Sequence, residues 1–250
     1  MAYKERHNEI LKILAKLKQA SVSGLTERLK VSEVTIRKDL SHLEEQGKLL
    51  RTHGGAVLAE DRDRLRTLTM RTGKGIKEKR EIALRAREMI REDDTIYIDA
   101  GTTCYYLAKE IKKMNLRVVT SSLAVMVELS SCPGISLFSL GGSFREEAGS
   151  FIGPAAEKAL KGFQIETCFL GTTGISYDGK FSSQNTIEAQ LKRSVLAACR
   201  RRIILADHSK YGETAFSIFA HAADIDVLIM DSASVDISKL KVMDFELVLV

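Results

Sequence analysis

Residues 31–58 read VSEVTIRKDLSHLEEQGKLLRTHGGAVL, and this stretch decides the front of the fold. Ser32 suits a helix N-cap, because its hydroxyl can accept an orphan backbone N–H. From Glu33 to about Gln46 the apolar residues Ile36, Leu40 and Leu43 recur at steps of three and four, which is one face of a helix. Gly47 stands where a helix C-cap belongs. Beyond it, two short extended runs flank a turn at His53-Gly54-Gly55, the pattern of a hairpin.

Toward the N-terminus, Ile10, Leu11, Ile13, Leu14 and Leu17 share a face of a helix over 3–18. Gln19 to Ser23 interrupts the pattern. Leu25 and Leu29 then mark a helix of about two turns, and Lys30-Val31-Ser32 is a brief connector. Three short helices, the last two joined tightly and followed by a hairpin, predict a winged helix-turn-helix over residues 1–58. In that arrangement the first turns of the last helix face the major groove. Thr35, Arg37, Lys38 and Ser41 lie on its non-core sides. Arginine can pair with guanine and a threonine methyl can touch thymine, while Lys38 is suited to phosphate. Arg51 and His53 in the hairpin are candidates for phosphate or minor-groove contact, although His53 equally fits an ordinary turn. Periodicity alone leaves a protein-interaction bundle as an alternative.

Charge supports a polyanion at the front. Residues 1–92 carry 22 Lys/Arg against 14 Asp/Glu, and the remainder carries 16 against 19. A basic front and a slightly acidic rear fit a nucleic-acid-binding head on a different kind of body. The chain has 250 residues, 44% of them hydrophobic, enough for a sizeable core and against wholesale disorder. No apolar run is long enough to span a membrane. The charged start MAYKERHNEI lacks a secretion signal, so a cytoplasmic protein with no membrane partner is expected. Cys104, Cys132, Cys168 and Cys199 form no C-x-x-C pair, which predicts isolated apolar cysteines and no metal site.

Residues 59–75 are charged and lack a clean apolar face, as a connector would be. From Ile76 the helical pattern resumes, with Ile82, Ala83, Ala86, Met89 and Ile90 on one face, and a second domain is expected over 76–250. Short apolar runs then alternate with helical segments. They end in polar, glycine-rich loops: Asp99-Ala100-Gly101-Thr102-Thr103, Thr120-Ser121-Ser122, Gly141-Gly142, Gly171-Thr172-Thr173-Gly174 and Asp207-His208-Ser209-Lys210. Alternation with continuously apolar strands predicts an α/β domain with a mostly parallel sheet. Ligands of such sheets bind beyond the carboxyl ends of the strands. Glycine permits close backbone approach, and threonine hydroxyls with helix N-terminal N–H groups can hold an anionic oxygen. The candidate ligand-binding residues are therefore Asp99, Gly101, Thr102, Thr103, Thr120, Ser121, Gly141, Gly142, Gly171, Glu188, Lys192 and Lys210. Lys192 and Lys210 offer positive charge, whereas Asp99 and Glu188 can accept hydrogen bonds from hydroxyls. Lys192 equally reads as a solvated helix charge. No Walker loop is present.

The blocks Val31-Ser32, Thr35-Ile36-Arg37-Lys38-Asp39-Leu40, Leu43-Glu44, Gly47 and Arg51-x-His53-Gly54-Gly55-Ala56 resemble the N-terminal signature of the DeoR family of bacterial transcriptional regulators. Asp99-x-Gly-Thr-Thr, Val118-Val119-Thr120, Gly141-Gly142 with Ser150 and Gly153, Phe169-x-Gly171, Glu188-Ala189 with Leu191-Lys192-Arg193, and Asp207-x-Ser-Lys210-Tyr-Gly resemble that family's sugar-phosphate-sensing domain. The resemblance covers roughly residues 3–235. It departs where Ser121 replaces the usual Asn and Glu166 the usual Asp, two changes that bear on which sugar is recognised. It implies a sensor domain similar in fold to sugar-phosphate isomerases. It also implies double-stranded operator DNA and a phosphorylated sugar as partners, a homodimer or homotetramer, no cofactor and no catalysis. Repression relieved by the sugar phosphate is the expected function. A catalytic isomerase or deaminase carrying a DNA-binding domain, with Asp99, Glu188 or Asp207 as base, is the alternative. A third reading is an activator rather than a repressor, since that sign depends on where the operator lies relative to the promoter.

Overall fold

A computed structural model describes residues 3–17, 19–46, 48–52, 54–58, 75–231 and 236–250. The chain divides into two compact units, Met1–Thr67 and Leu68–Val250. Gly47, His53 and all of the expected connector except Gly75 lie outside the described residues.

The first unit runs α1 (Tyr3–Leu17), β1 (Gln19–Ser21), α2 (Val22–Leu29), α3 (Glu33–Glu45), β2 (Leu49–Thr52) and β3 (Gly55–Leu58). Ile10, Leu14, Leu25, Ile36, Leu40 and Leu43, all placed by periodicity on inner faces, are fully buried together with Leu49. Ser21 and Ser32 cap α2 and α3, accepting N–H bonds from Gly24 and Thr35. The αL turn between these helices sits at Lys30, φ +52°. The hairpin β2–β3 forms as expected, but β1 joins it and makes a three-stranded antiparallel sheet in the order β1–β3–β2. That third strand explains the second glycine of the His-Gly-Gly run. A Cβ on Gly55 would lie 2.0 Å from the carbonyl oxygen of Ala20 on β1, so only glycine allows the strands to meet.

Asp39 lies within the Thr35–Leu40 block, yet it faces inward and is 2% exposed. Arg6 of α1 grips both its carboxylate oxygens, at 2.5 and 3.0 Å, and His7 Nε2 lies 3.0 Å from one of them. Burial works against its ionisation, but the hydrogen bonds from Arg6 and His7 outweigh it and hold the carboxyl below its ordinary value. This clamp ties α1 to the middle of α3.

The second unit opens with α4 (Ile76–Arg87) and is built on a seven-stranded sheet. Its strands are β4 (Thr95–Ile98), β5 (Leu116–Thr120), β6 (Ile135–Ser139), β9 (Ile165–Gly171), β12 (Cys199–Ala206), β14 (Val227–Met230) and β15 (Glu246–Leu249). Every pairing is parallel. Between them lie α5 (Thr102–Glu110), α6 (Leu123–Leu129), a hairpin of β7 (Ser143–Arg145) and β8 (Ser150–Ile152), α7 (Pro154–Leu160) and α8 (Thr186–Ala198). A small side sheet of β10 (Gly174–Ile175), β11 (Lys180–Ser183) and β13 (Ser217–His221) completes the unit.

Alternate residues of the strands feed two cores. Ile96, Ile98, Val118, Phe169, Ile203 and Ile229 pack with α4, α5 and α6. Tyr97, Val119, Cys168, Leu170, Ile204 and Leu228 pack with α7, α8 and the side sheet. A sheet covered on both faces explains why its strands read as apolar runs rather than as alternating ones. Cys104, Cys132 and Cys168 are buried, and Cys199 is half-buried.

The strand order is β6–β5–β4–β9–β12–β14–β15. The chain therefore winds outward in one direction from β4 and in the other from β9. The neighbouring ends of β4 and β9 form a topological switch point, where the loops diverge and leave a crevice.

Candidate functional site

In the first unit, α3 presents a solvent-facing stripe. Its buried residues Ile36, Asp39, Leu40 and Leu43 occupy one side. Val34, Arg37, Lys38 and Ser41, with the same three-four spacing, fall on the other. Arg37 and Lys38 are exposed, while Thr35 and Ser41 are half-buried. The Thr35 hydroxyl lies 2.9 Å from that of Ser32, and Ser41 donates to the Arg37 carbonyl. Arg37 makes a solvent-exposed ion pair with Glu33 at 3.4 Å. Such a pair is weak enough for the guanidinium to leave for a better acceptor. Arg51 contributes its backbone to β2 and its side chain is outside the described part, as is all of His53. Val34 escaped sequence reading because an apolar residue off the core face carries no signal in a periodicity count.

In the second unit, a cleft of about 170 Å³ opens at the switch point. The loop after β4 supplies Gly101, Thr102 and Thr103, that after β9 supplies Gly171, Thr172 and Thr173, and the end of β12 supplies Asp207 and Lys210. Gly101 precedes α5 and no side chain caps that helix, so its first N–H groups, on residues that line the cleft, have neither a helical partner nor a side-chain cap. Lys79, Arg145, Glu147, Ser183, Gln184, Glu188 and Lys192 complete the walls.

Most charges in the cleft are already paired. Lys192 is 3% exposed; its ammonium bonds to Asp99 and, at 2.9 Å, to the Gly171 carbonyl, with Glu188 at 3.8 Å. Burial pulls the Lys192 pKa down, but Asp99 and Glu188 outweigh it, so the proton is held more firmly than usual. Asp99 also accepts the Gly171 N–H at 3.0 Å, which stitches the end of β4 to the end of β9. Glu188 accepts from Ser183 at 3.1 Å and pairs with Arg145 at 3.1 Å. Lys79 lies 3.5 Å from Asp207. Burial opposes ionisation of Asp207, yet Ser209, Lys210 and Lys79 together keep its carboxyl below the ordinary value. Among the described residues no carboxylate lies within 4.0 Å of Lys210, which leaves its charge available to a ligand.

Of the twelve candidates, Gly101, Thr102, Thr103, Gly171, Glu188, Lys192 and Lys210 line this cleft. Asp99, Thr120, Ser121, Gly141 and Gly142 do not. Asp99 lies beneath the floor, committed to Lys192 and Gly171. Thr120 donates to the Ile98 carbonyl at 2.6 Å, and Ser121 meets the Tyr97 hydroxyl inside the core. The β7–β8 hairpin closes over the end of β5, where the Phe151 N–H donates to the Ser121 carbonyl and Leu123 N–H to Gly149. Gly142, at φ +110°, is needed for packing: a Cβ there would meet the Ile152 carbonyl oxygen at 2.6 Å. Glu166 lies at the opposite end of the sheet, accepting the Thr95 N–H at 2.5 Å. Its change from the usual Asp therefore concerns strand pairing, not the ligand.

The same hairpin carries Arg145 and Glu147 into the cleft. Their segment has no clear periodicity, so nothing local announced them. Thr172, Thr173 and Asp207 did have a signal, since they sit in loops already singled out at strand ends.

A family model described as the DeoR C terminal sensor domain matches residues 74–232, and one described as the DeoR-like helix-turn-helix domain matches residues 6–62. The uncharacterized HTH-type transcriptional regulator YulB of Bacillus subtilis is 35% identical, covering 93% of this chain and 90% of its own. The transcriptional repressor AccR of Agrobacterium fabrum is 33% identical over 92% of this chain and 90% of its own. The L-fucose operon activator of Escherichia coli is 31% identical over 92% and 96%. Among solved structures, ribose 5-phosphate isomerase A from Neisseria gonorrhoeae aligns with 53% of this chain and 52% of its own, at 18% identity and a TM-score of 0.40.

Proposed function

The chain belongs to the DeoR family of helix-turn-helix transcriptional regulators, and from that premise we propose a repressor that a phosphorylated sugar releases from its operator. The head binds DNA through α3, with Arg37 on a base edge, Lys38 on phosphate, and the β2–β3 hairpin beside them, including Arg51 and His53. Two heads of a homodimer or homotetramer grip half-sites about 34–36 Å apart, or a multiple of that. The protein works in the cytoplasm, where the DNA is. The domain boundaries we assign are 1–58 for the head, 59–75 for the connector and 76–250 for the sensor.

The observation that carries the sensor reading is the cleft at the β4–β9 switch point. It combines the uncapped N-terminus of α5 with a cation that has no ion-pair partner among the described residues, Lys210. Backbone N–H groups at a helix start, a positive dipole end and a free ammonium suit a phosphate dianion. Glu188, Gln184 and Thr173 face the same space and suit hydroxyls. Binding the sugar phosphate more tightly in one arrangement of the oligomer shifts the population away from the DNA-competent form.

The chain is a regulator and not an enzyme, like the relatives it matches over nine-tenths of its length. The carboxylates that an isomerase would need as base are engaged instead: Asp99 with Lys192, Glu188 with Arg145, and Asp207 with Lys79. The sensor reading is tested by thermal melting of the full chain against phosphorylated pentoses, hexoses and their breakdown products. A ligand of the folded state raises the melting temperature. A flat response across the whole set would reject the sensor.

A further inference from the structure

On the outward stripe of α3, between the cations and hydroxyls, stands one apolar side chain. Val34 is 64% exposed, and among the residues of this unit whose side chains are described the only other exposed large hydrophobic is Leu17 at the end of α1. Its place is costly: a β-branched residue is a mediocre helix former, and among the described residues of the unit no core cluster includes it. It shares its face with Arg37, Lys38 and Ser41 by the i, i+3, i+4, i+7 rule. It also occupies the first turn of the helix, the part that reaches deepest into the major groove of a helix-turn-helix complex.

In that groove the one apolar group displayed by a base pair is the C5-methyl of thymine. We propose that Val34 is a specificity-determining residue, packing its methyl groups on a thymine methyl in each half-site. The neighbouring Thr35 is less suited, because it is half-buried and its hydroxyl is turned toward Ser32. The inference rests on the DNA-binding role of the head and is independent of the ligand in the sensor.

The test replaces thymine by uracil, which removes that methyl and leaves the base-pairing unchanged. The probes are duplexes selected by the wild-type protein from a randomised pool, with each thymine exchanged in turn. The full-length wild type, Val34→Ala and Thr35→Ser are compared by fluorescence anisotropy. The expected result is one thymine per half-site where uracil weakens wild-type binding about fourfold, the equivalent of one buried methyl. Val34→Ala, which loses the contact in both half-sites at once, binds the thymine duplex about 15-fold more weakly than wild type and no longer distinguishes uracil from thymine. Retained discrimination in Val34→Ala, its loss in Thr35→Ser alone, or indifference of the wild type to every exchange overturns the assignment. Because Val34 touches no core and alanine is the better helix former, Val34→Ala melts at or slightly above the wild-type temperature, so a loss of binding is not a loss of fold.

Discussion

Replacing Asp39 by alanine separates a structural role from a DNA-reading one within the Thr35–Leu40 block. The carboxylate is 2% exposed and receives two bonds from Arg6 and one from His7. Removing it takes away the carboxylate that the Arg6 guanidinium, on a side chain 12% exposed, holds with two bonds. Breaking a buried ion pair by deleting one partner costs about 3–5 kcal/mol. The low end, ~3 kcal/mol, applies because Arg6 can partly turn to water. For a unit of this size each kcal/mol moves the melting point by about 4–8 °C, so the head should melt about 12–24 °C lower. Calorimetry of the full chain would show the head's transition falling while that of the sensor stays in place. Asp39→Asn, which keeps one acceptor, should fall between. The pH dependence follows in sign. Since the folded carboxyl is held below its ordinary value, its contribution is complete above about pH 4 and is lost as the pH drops further. If Asp39→Ala melted like the wild type and bound DNA more tightly, Asp39 would be an acidic residue facing the phosphates, and the clamp between α1 and α3 would be wrong.

Lys210→Ala should leave operator affinity intact and weaken the sugar phosphate about 10–100-fold by calorimetric titration, the worth of a charged hydrogen bond. Lys192→Met should behave differently: Asp99 would be left buried and unpaired, and the sensor should lose about 3–5 kcal/mol in denaturant unfolding. An unchanged midpoint would show that Lys192 is a ligand contact and not a floor strut. Gly55→Ala should destabilise the head by about 1–3 kcal/mol, the usual cost of overpacking, because the new methyl meets the Ala20 carbonyl; circular dichroism melting measures it. Arg37→Ala should cost about 1–3 kcal/mol on the operator and far less on random duplex, read by competition binding. An equal loss on both would make it a phosphate contact.

What could be read from the sequence follows from where each signal is stored. Local periodicity gave α3 almost to the residue, because Ile36, Leu40 and Leu43 must share a face to reach one core. The parallel sheet was legible because strands such as Val227–Met230 are buried on both faces and so carry apolar runs. Strand β1 was not, since Gln19–Ser21 joins the sheet by backbone bonds to β3 and offers no apolar pattern. The site was half legible. Loops at strand ends named Gly101–Thr103, Gly171 and Lys210, but strand order decides which ends adjoin, and order is a long-range property. Hence Thr120, Ser121, Gly141 and Gly142 belonged to the right edge of the sheet and the wrong side of the switch point. Asp99 and Lys192 were read separately, as an acceptor for sugar hydroxyls and a positive charge for the anion, whereas the structure pairs them with each other. Their partnership spans 93 positions, and no local pattern records it.

If the protein is a repressor that a sugar phosphate releases, occupancy of the switch-point cleft decides whether the head holds DNA. The most direct measurement is the affinity of the full-length protein for its selected operator, by fluorescence anisotropy, with and without each phosphorylated sugar at saturation. At least one should lower that affinity about 5–150-fold, the range of ordinary allosteric coupling. If a sugar phosphate raised the melting temperature yet none changed the operator affinity, the cleft would bind its guest without governing the head.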